Sequence, residues 1–436
     1  MNRHILILIP LLFLISVNSF AQDFGIKFSG YIKNDFFYDT RQTVSIREGH
    51  FLLYPSGKNL DANLIDLNDN INFNFLSIQT KLTGNIIAPD VLDAKVTGVL
   101  EADFFGNENA SFVDANGFRL RYAFAKLKWV NSELLLGQFW HPLFNTNCFS
   151  EVLSFNTGAP VQPFSRNPQI RFTQKFGGFS FLGALTAQRD FSSPGGSNVL
   201  RNAVIPDLNG QILFEDKNEK TKTEIYSGAG IEYKSLRPLL FTEKAGKKYS
   251  TDEKISSYAA MAFFKIKTPS LTYKIQGIYG QNLFDLTMMG GYAISEIIDT
   301  NKNTVKYTSL NNLFLWSEFI ITAVKDVQFG LWAGYTQNLG SNDNILLYSN
   351  KIGGTDVTVR GASPDNSSDI KSVLRISPRV VFIFDRLNFA FETEYTSAAY
   401  ALKDPSGKLY RDANGKITQT ENISNIRFLF STILKF

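Results

Sequence analysis

The chain has 436 residues, a formal net charge of +4, a single cysteine, and 39 Phe and 17 Tyr within a 14% aromatic content. Its charge is spread along the sequence with no basic block, which argues against a nucleic-acid partner, and lone Cys148 excludes an intrachain disulfide framework. Beyond the N-terminus no stretch of 18 or more apolar residues occurs, which excludes spanning helices, whereas lipid-facing strands and interfacial girdles consume aromatic residues in this proportion.

At the N-terminus Arg3 and His4 precede an apolar run from Ile5 to Val17, and Ser19 and Ala21 supply small residues for a signal peptidase. Residues 1–21 are therefore expected to be a cleaved signal peptide, and 22–436 the mature domain. Period-2 alternation dominates that mature domain. From Leu92 to Phe104, Leu92, Ala94, Val96, Gly98, Leu100, Ala102 and Phe104 share one face, and Asp93, Lys95, Thr97, Val99, Glu101 and Asp103 share the other. Alternating segments of this kind predict about sixteen antiparallel strands. In the first half they cover 25–38, 70–84, 91–105, 117–130, 132–140, 168–176, 178–190 and 208–216. The second half adds 223–235, 254–268, 270–284, 308–323, 326–339, 370–385, 387–400 and 423–436.

The connections alternate as well. Gly177-Gly178, Pro269-Ser270, Lys325-Asp326 and Asp385-Arg386 read as tight turns, whereas 39–69, 141–167, 285–307, 340–369 and 401–422 are long and polar. Short turns on one side and long loops on the other are the arrangement of an all-β transmembrane barrel of the bacterial outer membrane, with periplasmic turns and extracellular loops. Backbone groups in lipid must be paired internally, and closure of the sheet achieves this.

Inward positions carry both signs of charge. Hairpin arithmetic places Asp103 opposite Arg119, Glu101 opposite Arg121 and Arg379 opposite Glu392. These pairs either form a charged lumen or rigidify the wall. Arg171, Lys175, Arg375 and Arg427 have no partner in that arithmetic and predict a positive stripe facing the pore. The long loop 141–167 holds Phe144, Phe149, Phe155 and Phe164, with Glu151 and Arg166 its only charged residues. A loop this apolar packs against something: either it folds into the lumen and narrows it, or it meets a neighbouring protomer. Phe428, Phe430 and the terminal Phe436 share one face of the last strand and predict the signal read by the outer-membrane assembly machinery.

Catalysis finds little support, because beyond the leader only His50 and His141 occur, each in an external loop, and no Ser/His/acid set can be placed on adjacent strands. Glu392 and Glu394 share a strand face, but pairing with Arg379 accounts for them more simply. Neither a metal site nor a cofactor is expected, since the two histidines are far apart and Cys148 is alone.

The stretches LLLGQFWHPLF from Leu134 to Phe144 and SRNPQIRFTQ from Ser165 to Gln174 resemble the strand, constriction loop and returning strand of the DcaP-like trimeric porins. FGLWAGYTQNLG from Phe329 to Gly340, SPRVVF from Ser377 to Phe382 and FETEYTSAAY from Phe391 to Tyr400 resemble Bacteroidota versions of that family. The resemblance implies a homotrimer in the outer membrane, in contact with its lipid and lipopolysaccharide, passing small polar solutes and favouring anions such as dicarboxylates. It also implies that Arg171, Glu151 and Arg166 lie near the constriction. The expected function is a passive diffusion channel with no enzymatic activity; the alternative is a binding or structural barrel sealed by its loops.

Overall fold

The computed structural model describes residues 24–106, 117–346 and 370–436, together with the backbone of the short pairs Lys351–Ile352 and Thr355–Asp356. The expected signal peptide, and parts of the connections after 106 and after 346, lie outside the described residues.

The alternating segments form sixteen barrel strands. In the first half these are β1 (Gly25–Asp39), β2 (Asn72–Leu76, resuming as Lys81–Val91), β3 (Ala94–Asp103), β4 (Arg119–Lys128), β5 (Ser132–Trp140), β6 (Arg166–Phe176), β7 (Phe179–Thr186) and β8 (Asp207–Asn218). The second half comprises β9 (Thr223–Leu236), β10 (Ile255–Lys267), β11 (Leu271–Gln281), β12 (Thr304–Val324), β13 (Val327–Ser341), β14 (Ile370–Phe384), β15 (Leu387–Ala401) and β16 (Thr420–Lys435). Each pairs antiparallel with its sequence neighbours. The sheet closes where β1 meets β16, from Tyr31 opposite Lys435 to Asp39 opposite Arg427.

Alternation sorts side chains between lipid and interior. On β13, Phe329 and Leu331 point outward and are about half exposed, while Trp332 between its inward neighbours is fully buried. The same split puts Leu100 outside and Glu101 and Asp103 inside on β3. Such an apolar outer face needs lipid around it, and closure leaves no unpaired edge within it.

The turns near 92, 130, 177, 220, 269, 325 and 385 gather at the end that carries the N-terminal end of β1 and Phe436. All long connections leave from the opposite end. Asp326 and Asp385 take positive φ, 60° and 52°, as tight hairpins require.

The second strand departs from expectation. The alternation predicts it over 70–84 with a turn before 91; instead it breaks at 77–80, resumes, and runs on to Val91, and the turn is made by Leu92 and Asp93, both at positive φ of 54° and 59°. Two consecutive left-handed residues match the twist of the flanking strands, and they let Ile86, Ile87 and Ala88 pair with Gly98, Thr97 and Val96. The seventh strand ends at Thr186 and not near 190, because the chain leaves the sheet after the Ala187 N–H donates to Pro168 O at 2.9 Å. An external hairpin over Tyr292–Asp299 extends the outer end of β12.

Candidate functional site

The site is the barrel interior and the two external segments that enter it. The segment 141–165 follows β5, and its apolar side chains find an aromatic interior. Phe144 stacks on Trp140 with centroids 3.8 Å apart, Phe155 on Phe105 at 4.0 Å, and Phe164 lies 4.9 Å from Phe51. Phe51 belongs to a second inward element, the hairpin of Thr43–Ile46 with Phe51–Pro55. Burying each such aromatic contributes roughly 1.5–3 kcal/mol. His50, in the tip of that hairpin, meets Asp35 of β1 at 2.6 Å.

An irregular backbone inside a barrel needs hydrogen-bond partners, and charged wall residues supply them. Leu153 N and Ser154 N donate to the two Glu392 carboxylate oxygens at 2.6 and 3.1 Å. Glu151 N donates to both oxygens of Glu318 at 3.0 and 3.1 Å, and Asn156 Nδ2 to Glu394 at 2.9 Å. From the cationic side, Lys33 Nζ donates to Leu153 O at 2.7 Å, Lys274 Nζ to Phe149 O at 3.0 Å, and Arg375 Nη1 to Ala159 O at 2.5 Å. Strands β1, β11, β12, β14 and β15 thus hold one segment, which crosses the interior. Arg375 also donates to Leu53 O at 2.7 Å and so ties the first hairpin to the same wall.

The sequence-predicted residues fall into three groups. Asp103 and Arg119 face each other and form a two-pronged bond at 3.1 and 2.9 Å. Arg121 reaches Glu101 at 2.8 Å and Asp103 at 2.7 Å, although a bulge at Glu101 and Ala102 puts Tyr122, not Arg121, opposite Glu101. Arg379 is opposite Glu392 in register, yet its guanidinium lies 2.8 Å from Glu318, because Glu392 is engaged by the loop backbone. Glu151 pairs with Lys274 at 2.5 Å, and Arg166 lies over the Trp140 ring at 3.8 Å and pairs with Asp190 at 3.0 Å.

Two of the expected unpartnered cations have partners. Arg427 donates to both Asp39 oxygens at 2.9 and 2.6 Å across the closing seam, and Arg375 lies 3.3 Å from Glu394 on the neighbouring strand; both arginines are 1% exposed. Hairpin arithmetic misses them because one partner is brought by closure and the other sits diagonally. Arg171 meets no carboxylate among the described residues within ion-pair distance; it donates to Gln169 Oε1 at 2.9 Å and Trp140 O at 2.7 Å. Lys175 is exposed at the turn end, beside a cavity of about 280 Å³.

At the loop end a cavity of about 750 Å³ is lined by Arg47, Arg119, Arg189, Asp190, Phe105 and Phe191. On the outer face of β16, Phe428 and Phe436 are half exposed and Phe430 packs 4.7 Å from Phe391. Phe436 N and O exchange hydrogen bonds with Gly30 at 3.2 and 3.0 Å, so the terminal residue closes the seam.

Sequence reasoning missed Lys33, Asp39, Lys274 and Glu318; their inward alternation was legible, but their partners are loop backbone and distant strands. It also expected no metal-ligand cluster. The barrel nevertheless brings His141, Asp207 and Glu232 together, buried, with a possible ligand atom from each lying within 4.8 Å of the others.

No family model matches the chain, and no curated protein matches it. Among solved structures, the outer membrane channel DcaP of Acinetobacter baumannii is similar with a TM-score of 0.62 at 14% identity, over 95% of this chain and 97% of that one. OmpT, an outer membrane protein of Vibrio cholerae, is similar with a TM-score of 0.51 at 6% identity, over 94% of this chain and 97% of that one. Its trimer form also gives 0.51 at 6% identity, over 95% and 99%. These likenesses establish the fold: a closed antiparallel barrel of the outer-membrane type.

Proposed function

We propose that the chain is a porin-like channel of the outer membrane, passing small polar solutes by passive diffusion around a constriction made by segment 141–165. The observation that carries this reading is that the segment crosses the interior of a sixteen-stranded barrel, a size that otherwise leaves an aqueous lumen, and is fixed there by Glu318, Glu392 and Arg375. DcaP, similar in fold, is described as an outer membrane channel, and a trimer form of OmpT supports assembly of this chain as a homotrimer.

A modest preference for anions, dicarboxylates among them, belongs to the same reading. Arg189 at the outer cavity, with Arg171 further in and Lys175 at the turn end, would supply the field, while Arg119 beside Arg189 is held by Asp103 and belongs with the paired wall. Glu101, Asp103, Arg121, Glu151, Arg166, Arg375, Arg379, Glu392 and Arg427 would shape the passage chiefly as paired wall and loop anchors. No catalytic step is assigned to any of them.

A second reading has its own support. The first hairpin and segment 141–165 pack Phe51, Phe155 and Phe164 into one buried cluster, which suits a sealed barrel. Planar-bilayer recording of the purified protein separates the two. Stepwise conductance that scales with salt supports the channel; a protein that inserts without conductance is a sealed barrel.

A further inference from the structure

We propose that His141, Asp207 and Glu232 hold one divalent metal ion of the zinc class, which clips the root of segment 141–165 to strands β8 and β9. His141 opens that segment, whereas Asp207 and Glu232 project inward from neighbouring strands. His141 Nε2 lies 3.5 Å from Glu232 Oε1. Two ligands bonded at about 2.1 Å to a tetrahedral zinc lie about 3.4 Å apart, so the pair already has the spacing of one coordination edge.

Several polar atoms turned into this space lack a hydrogen-bond partner. His141 Nε2, both Glu232 carboxylate oxygens and Asp207 Oδ1 are buried without a hydrogen-bond partner. Asn209, directly opposite Glu232 in register, leaves both amide atoms unpartnered as well. Native interiors leave few such groups unpaired, and each one calls for a cause.

Charge points the same way. Glu232, Asp207 and Asp285 are almost wholly buried, and Lys234 is the only cation among the described residues within ion-pair distance of Glu232 and Asp285, at 3.9 and 2.5 Å. Gln188 donates to Asp207 Oδ2 at 3.4 Å and to Asp285 at 3.3 Å but brings no charge. Buried charges are paired or coordinate metals, and a divalent ion balances what Lys234 leaves over. One imidazole with two carboxylates is a donor set that suits zinc or manganese and not soft copper(I). Coordination through Nε2 puts the ring proton on Nδ1, so the 3.3 Å contact from Leu143 N–H to Nδ1 is given up on binding.

The test uses untagged, detergent-purified protein, stripped with a chelator and titrated with Zn²⁺ alone, with elemental analysis of the protein after buffer exchange. The expected result is one zinc per chain. Glu232→Gln, Asp207→Asn and His141→Gln, each confirmed as a folded barrel by heat-modifiable gel mobility, should weaken binding by more than the about 10- to 100-fold that follows loss of an outer-shell partner. Parent protein that is folded yet retains no stoichiometric zinc overturns the proposal, whatever the variants do. Variants that bind as tightly as the parent overturn it equally. The readout is metal content, so it stands or falls separately from conductance.

Discussion

Burial decides which arginines can act on a solute and which only hold the wall. Arg427 and Asp39 lie 2.6 Å apart, neither reached by water to any extent. Their charges cancel at a distance. Arg427→Ala leaves the Asp39 carboxylate buried and uncompensated, a change that costs about 3–5 kcal/mol; a lower urea midpoint of the refolded barrel would register it. Arg189 is exposed on the outer cavity, and on the proposed channel reading a solute entering there would come within a Debye length of about 8 Å. Arg189→Ala should therefore move the reversal potential in a KCl gradient towards cation selectivity, and leave stability nearly unchanged. If both variants shift selectivity equally, burial is not what sorts them. Arg375 and Arg427, expected in a positive stripe, are instead buried in ion pairs, and an ion pair inside packed protein concentrates no counter-ion; the proposed anion preference therefore rests on exposed groups.

At the scale of elements, the inward segment and the closing seam matter most. Segment 141–165 rests on aromatic packing and on carboxylates that accept its backbone N–H groups. Phe155→Ala removes a ring that stacks on Phe105 at 4.0 Å and should destabilise by about 3–5 kcal/mol. Glu392→Gln replaces an acceptor of two backbone N–H groups at 2.6 and 3.1 Å and should loosen the segment by about 1–3 kcal/mol. Both changes should raise the conductance or current noise of single channels while the strands stay intact by circular dichroism; quiet, parental traces from both would show that the segment does not limit flow. Removal of Phe436 takes away the last backbone pair with Gly30 and the terminal aromatic of β16. Lower outer-membrane levels of the truncated chain are expected, and immunoblots of membrane fractions measure them.

For the whole molecule, a closed sheet with all strands antiparallel unfolds only when its seam and loops give way. The purified protein should run as a compact β-rich species in unheated gels and shift on boiling. N-terminal sequencing of membrane protein should begin at or near Gln22; recovery of Met1 would rule out export by a cleaved leader. Cross-linking in native membranes should yield trimers, and an exclusively monomeric product would remove the trimer from the proposed function.

Strand number, inward and outward faces, and the short-long rhythm of connections were determined by the sequence alone, because a side-chain period of 2 and the demands of lipid act locally along the chain. Leu100 against Glu101 carries that information in two adjacent residues. The break at 77–80 and the turn at Leu92 and Asp93 did not show, since neither glycine nor an Asn-Gly pair marks them and neighbouring strands dictate them. Pairings within one hairpin, such as Asp103 with Arg119, could be counted. Pairings made by closure, such as Asp39 with Arg427, or by a loop returning to the wall, such as Leu153 with Glu392, could not. Only the tertiary structure decided those, and with them the meeting of His141, Asp207 and Glu232, because contacts between residues tens to hundreds of positions apart depend on how the whole sheet curves shut.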